Sequence, residues 1–191
     1  VITYSGRQLD MANFKAADVS IRDIAKSLSL TCRWCGHLGV HYSVAQHCYM
    51  LARYAASEAG YHSPLAKMCL LHDSSEAYLS DISFGVKHLL PDYMKLEEHV
   101  QGTIYAKYLG YNPEGHSLQG EMKSLDHRLA VAEYLDVKAG SKQEDLAMPH
   151  KKLERLDVQV KPMPAARAEI AFLQTARAFG FVTEAEVSFA Q

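Results

Sequence analysis

Apolar residues recur along the chain at three- and four-residue spacings, and the runs they define open on helix caps and close on glycines. Ile21, Ile24, Ala25 and Leu28 share one face of a first helix, capped by Ser20 with Asp23 in its first turn. A second begins at Ser43, where Ser43-x-x-Gln46 has the form of a capping box, turns Val44, Cys48, Leu51 and Ala52 inward, and stops near Gly60. Ser63 caps a third, with Pro64 at the first helical position, where a missing amide hydrogen costs nothing; its pattern predicts helix to about residue 79. Further helices are expected over 91–108, 121–138 and 164–179, before Gly110, Gly140 and Gly180. Their expected inward residues include Met94, Val100, Ile104 and Tyr108 on the fourth and Ile170, Phe172 and Leu173 on the sixth. Strand-like stretches are short, at 2–4 and 157–160. The pattern therefore predicts an all-α helical bundle, with an irregular stretch over 31–42 and a polar segment with three prolines over 140–164 as its longest excursion.

Composition adds limits to that picture. A chain of 191 residues, 48% hydrophobic, suffices for one domain over 1–191 with a sizeable core. A formal charge of −2 and a pI near 6.6 give no basic footprint for a nucleic-acid polymer or an anionic membrane, so the expected ligand is a small molecule. No apolar run approaches the ~18 residues of a membrane span, and the first ten residues lack a signal-peptide layout, which leads to an expectation of a cytoplasmic protein of a bacterial or phage-infected cell. Cys48 and Cys69 fall inside apolar helical patterns as reduced thiols. Cys32-x-x-Cys35 has His37 and His41 nearby but no second close cysteine pair, which favours two reduced thiols beside a turn over a structural zinc site.

The candidate chemistry lies where ionisable residues take positions that the apolar pattern assigns to the core, since burying them is costly unless they are paired or bind metal. His47 sits three residues after Val44 and four before Leu51; Asp126 sits four after Met122 and three before Leu129. His72 and Asp73 follow Cys69-Leu70-Leu71, and Glu76 shares their face. With ten histidines in the chain a His-Asp dipeptide alone means little. Two imidazoles and two carboxylates drawn from three helices are another matter. This nitrogen and oxygen set suits a borderline divalent ion such as zinc, manganese, cobalt or nickel better than calcium.

The order H…HD…D, with its surroundings, resembles the HD-domain phosphohydrolases. The likeness runs over roughly residues 1–140 through Cys32-Arg33-Trp34, Tyr42-Ser43-Val44-Ala45-Gln46-His47, Leu70-Leu71-His72-Asp73-Ser74-Ser75-Glu76-Ala77-Tyr78-Leu79-Ser80-Asp81-Ile82 and Lys123-Ser124-Leu125-Asp126. It points to the branch containing bacterial 5′-deoxynucleotidases and phage dATP triphosphohydrolases. The resemblance implies an all-α HD bundle around one catalytic metal, zinc, cobalt or manganese, held by His47, His72, Asp73 and Asp126, with additional magnesium or cobalt accompanying the substrate phosphates. It implies Glu76 as the catalytic carboxylate that positions or deprotonates water, and Asp81 as a second carboxylate toward the sugar or the leaving side. Arg33, Lys87 and Lys123 fall where the family places phosphate-binding cations, and Trp34 where it places an aromatic beside base or sugar. Ser83-Phe84-Gly85 departs from the Pro-x-Pro that commonly shapes the nucleoside pocket.

The expected activity is hydrolysis of a deoxynucleoside triphosphate, dATP first among them, to a deoxynucleoside and triphosphate. A 5′-deoxynucleotidase acting on monophosphates uses the same metal set, and a non-catalytic nucleotide-binding regulatory module is the alternative of another class. A homo-oligomer, from dimer to hexamer, is expected by the same resemblance.

Overall fold

The computed structural model describes residues 1–147 and 150–182. Its helices are α1 (Ile21–Leu30), α2 (Val44–Ala59), α3 (Pro64–Leu71), α4 (Glu76–Leu79), α5 (Phe84–Lys87), α6 (Pro91–Leu109), α7 (Ser117–Val137) and α8 (Ala165–Ala178), joined by turns and short 3-10 segments. The fold is all-α. Among the described residues extended pairing is limited to two isolated bridges, Ile2 with Gln8 and Cys32 with Ser43.

The serine caps form as the sequence predicts: the hydroxyls of Ser20, Ser43 and Ser63 accept from the amides of Asp23, Gln46 and Ala66 at 3.3, 3.1 and 3.1 Å. The capping box at Ser43 is only half made. The Gln46 side chain donates instead to the Lys161 carbonyl at 2.8 Å and accepts from the Met163 amide at 2.9 Å, tying the chain ahead of α8 to the start of α2. Helix α2 is the centre of the bundle, with α1, α3, α7 and α8 packed on it. Ile24, Leu28, Leu51, Leu70, Leu71, Ile104, Leu129, Phe172 and Leu173 fill the space between them, each 0–1% exposed and so contributing the full apolar transfer energy of a core residue. Met94 and Ile170, expected inward, are 41% and 39% exposed. Met94 lies in the first turns of α6, ahead of the buried face formed by Val100, Ile104 and Tyr105.

The third expected helix is broken. Its apolar pattern continues past Leu71, yet 72–75 form a turn before α4. The cause comes from α6: the Gln101 side chain donates to the Leu71 carbonyl at 2.7 Å and accepts from the Ser75 amide at 2.9 Å, taking up the two groups a continuous helix would have joined. His72 and Asp73 therefore stand on a turn rather than a helix face.

The 157–160 stretch is not a strand. Asp136, near the end of α7, accepts from Arg155 Nη1 and Nη2 at 2.9 Å each and from the Val160 amide at 2.8 Å. Asp136→Asn is expected to destabilise the protein by about 1–2 kcal/mol in thermal or urea melts, a modest figure because Arg155 is 39% exposed and partly screened. Burial opposes the charge on Asp136, but Arg155 and the Val160 amide outweigh it and lower the carboxyl below its ordinary value of 3.8. The difference between wild type and variant is thus full above that ordinary value and disappears as pH falls through the lowered one. No helix among the described residues is long and apolar enough to cross a membrane.

Candidate metal centre

Helix α2 carries His47 into the core with no exposure at all. His47 Nε2 lies 3.1 Å from His72 Nε2, 3.0 Å from Asp126 Oδ1 and 3.7 Å from Asp73 Oδ2. His72 Nε2 in turn lies 3.1 Å from Asp73 Oδ2 and 3.9 Å from Asp126 Oδ1. The turn after α3 and the middle of α7 thus bring their side chains to one point beside α2. Donor atoms at about 2.1 Å from a common cation stand about 3.0–3.4 Å apart, which is the spacing of the shortest of these contacts.

The far side of each imidazole fixes its chemistry. His47 Nδ1 is 2.5 Å from Glu133 Oε1, and His72 Nδ1 is 2.8 Å from the Cys69 carbonyl. An oxygen of either kind accepts, so each Nδ1 carries the hydrogen and each neutral ring turns an Nε2 lone pair toward the cluster. Two such lone pairs and two carboxylates then face one another, an arrangement that demands positive charge between them. A proton is the other way to supply that charge. Burial opposes charge on His47, yet Glu133 and Asp126 raise its pKa; burial likewise opposes charge on His72, which Asp73 raises well above the ordinary histidine range. Against the same burial, His72 holds Asp73 far below the carboxylate range, and His47 lowers Asp126 to about 2. A proton serves at most two of these atoms, whereas a metal ion can serve three or more. His47, His72 and Asp73 form a group that can hold a metal ion, their donor atoms within 4.8 Å of one another; Asp126 Oδ1 lies beside it, 3.0 Å from His47 Nε2.

Glu76 opens α4 and is 5% exposed. Its Oε1 is 3.7 Å from Lys87 Nζ, while its Oε2, with Ser74 Oγ, lacks a hydrogen-bond partner among the described residues. Burial, followed by the charges of Asp73 and Asp81, raises its carboxyl well above the ordinary range. Asp81, half-buried, has its carboxyl raised, first by burial and then by the charge of Asp73, while Arg33 and Lys87 oppose the rise. The residue before it, Ser80, has φ 72° and ψ 156°, a conformation that a side chain strains, and its carbonyl is held by Tyr93 Oη at 2.9 Å.

The expected phosphate ligands divide. Arg33 reaches the site, with Nη1 3.2 Å from Asp73 and Nε 3.3 Å from Glu133. Lys87 reaches it too, but is paired with Glu97 at 2.7 Å as well as Glu76. Lys123 is exposed on α7, one turn before Asp126, and no contact joins it to the cluster. Trp34 donates its indole N–H to Glu133 at 3.0 Å and packs on Tyr134, with ring centres 5.5 Å apart. Cys32, Cys35, Cys48 and Cys69 are all free thiols, and the first two join no metal-ligating group among the described residues. The participant missed from the sequence is Glu133, fully buried seven residues after Asp126 on the same face of α7.

Fold and site together define an all-α protein with a partly buried His-Asp group able to hold a metal ion. Two curated relatives share part of its length: the uncharacterized protein YfdR of Escherichia coli, 40% identical over 106 residues (56% of either chain), and an uncharacterized protein of Rhodobacter capsulatus, 30% identical over 108 residues (54% of this chain and 55% of the relative). The chain spans about half the length of the curated relatives it matches. No family model matches it.

Proposed function

We propose that the chain is a metal-dependent deoxynucleotide phosphohydrolase of the HD type. The observation that carries the reading is the convergence of His47 Nε2, His72 Nε2 and the Asp73 and Asp126 oxygens beside a buried carboxylate, Glu76, with an unpaired oxygen. Those four donors would hold a zinc, cobalt or manganese ion, which would supply Lewis acidity toward a phosphoryl oxygen and lower the pKa of water. Glu76 is the base: its unpaired Oε2 accepts a proton from the attacking water, whose oxygen bonds to the α-phosphorus. The 5′-oxygen departs and takes up a proton, giving a deoxynucleoside. Arg33 and Lys87 supply positive charge to the phosphate, and Asp81 faces the sugar or the departing oxygen.

The first substrate class is a deoxynucleoside triphosphate, dATP among them, which releases inorganic triphosphate. Magnesium or cobalt would accompany its phosphate chain. The monophosphate reading is favoured by one specific observation: Arg33 and Lys87 are each bound to two carboxylates and Lys123 makes no contact with the site, so little cationic charge is uncommitted for a longer chain. Both readings cleave the same bond. Incubating the metal-loaded protein with the eight common dNMPs and dNTPs and identifying the products separates them: deoxynucleoside with triphosphate supports the first, deoxynucleoside with orthophosphate from dNMPs alone the second. Nucleotide binding without any deoxynucleoside release would overturn both in favour of a regulatory module.

A further inference from the structure

We infer that Glu133 is the positioning residue of the metal centre, a single buried carboxylate that holds His47 as an Nε2 donor and anchors Arg33 and Trp34 beside it. The inference rests on reading the His-Asp cluster as a divalent-cation site, but not on which phosphoester is cleaved.

Glu133 has no solvent exposure, and four donors close on it. Oε1 accepts from His47 Nδ1 at 2.5 Å and from Tyr42 Oη at 3.0 Å; Oε2 accepts from Trp34 Nε1 at 3.0 Å and from Arg33 Nε at 3.3 Å. A carboxylate has about four lone-pair positions, so the group is saturated as an acceptor and leaves no place for a proton of its own. A buried carboxylate filled in this way is a rigid reference point, because every movement of it breaks a bond that nothing else replaces.

The donors come from places that matter. One is a ligand of the cluster. The other three come from the 31–42 segment, which is closed as a loop by Arg33 N to the Tyr42 carbonyl at 2.8 Å and Val44 N to the Thr31 carbonyl at 3.0 Å. Within it Trp34 and Cys35 take left-handed φ values of 58° and 48°, which a non-glycine residue adopts only at a cost. That turn is what delivers both the Arg33 guanidinium and the Trp34 indole to Oε2. Helix α7 therefore supplies a donor to the cluster, Asp126, and two turns on, the carboxylate that orients a second, His47. The same carboxylate orients Arg33, whose Nη1 reaches Asp73.

Glu133→Gln tests this with almost no change of shape. An amide presents one acceptor and one donor. If its oxygen takes the Oε1 position, its NH₂ confronts the N–H groups of Arg33 and Trp34. If it turns the other way, the NH₂ faces His47 Nδ1, moves the ring hydrogen to Nε2 and removes the lone pair from the cluster. Either orientation disturbs the centre. The readouts are Co²⁺ binding, followed by its d–d absorption, and the emission of Trp34, the only tryptophan in the chain. We expect Glu133→Gln to fold, as judged by helical circular dichroism, to lose roughly 10–100-fold in Co²⁺ affinity, and to shift the Trp34 emission maximum. Wild-type Co²⁺ affinity in the folded variant would overturn the inference, as would a wild-type protein that takes up no Co²⁺. Should Glu133→Gln not fold, Tyr42→Phe removes one donor from Oε1 while touching no donor atom of the cluster. A several-fold loss of Co²⁺ affinity then supports the role and an unchanged affinity overturns it. A protein that binds Co²⁺ in this Glu133-dependent way yet releases no deoxynucleoside keeps the inference and ends the functional reading.

Discussion

Asp126→Ala is expected to strip the centre of its metal and to lower kcat/KM for deoxynucleotide hydrolysis by about three orders of magnitude, the several kcal/mol that such an ion contributes to phosphoryl transfer. The expectation follows from the position of Oδ1, 3.0 Å from His47 Nε2 and 3.9 Å from His72 Nε2, on the opposite element from Asp73. With this oxygen gone the two imidazoles and one carboxylate remain, a set with less negative charge and an open side. Loss of fold is not expected. The Asp126 side chain is 25% exposed, and alanine is the better helix former in the middle of α7. Metal content by atomic emission on the purified variant, set beside its turnover, checks the claim. Stoichiometric metal with full activity would remove Asp126 from the site.

The reason Asp126 could be picked out of the sequence at all is that a helix with a clean apolar face reports its own exceptions. Asp126 and His47 stand among Met122, Leu129, Val44 and Leu51, all of which are buried, and the Ser43 hydroxyl caps α2 where the sequence predicts its start. What the local pattern does not encode is what other elements do to it. The break at 72–75 is made by Gln101, a polar residue of α6 about thirty positions away, and no periodicity around His72-Asp73 announces it. Glu133 is the instructive miss. It stands inside Ala130-Val131-Ala132-Glu133-Tyr134 at the same seven-residue spacing that separates one helical turn pair from the next, so the inward position was legible. Its importance was not, because two of its four partners, Arg33 and Trp34, arrive through a left-handed turn at Trp34 and Cys35 that propensity disfavours. The cations expected to bind phosphate show the converse limit. Arg33 and Lys87 lie at the site, but their pairing with Asp73, Glu133, Glu76 and Glu97 is a tertiary fact. Lys123, equally plausible by sequence, makes no contact there.

Glu76→Gln is expected to separate metal binding from turnover: metal content unchanged, and kcat lower by about 10²–10⁴-fold, the usual contribution of a positioned general base. No hydrogen bond or ion pair joins Glu76 to the four donor atoms of the cluster among the described residues; its Oε1 lies 3.7 Å from Lys87 Nζ, while its buried Oε2 has no hydrogen-bond partner there. A buried carboxylate oxygen left unpaired costs stability, so the substitution is also expected to leave the melting temperature equal or higher, an outcome opposite to that of removing a structural ion pair. The pH profile gives a third readout. Burial first, then the negative charges of Asp73 and Asp81, set the Glu76 carboxyl above the ordinary glutamate value. A base acts in its ionised form, so wild-type activity falls as pH drops through that raised value, and a cation on the neighbouring cluster moves the limb toward lower pH by offsetting those charges. Glutamine has no such ionisation, so the residual rate of the variant should lack that limb. A Glu76→Gln protein with a normal rate and an intact acid limb would assign the proton transfer to another group, and Asp81, half-buried with its own carboxyl raised by burial, is where the next substitution belongs.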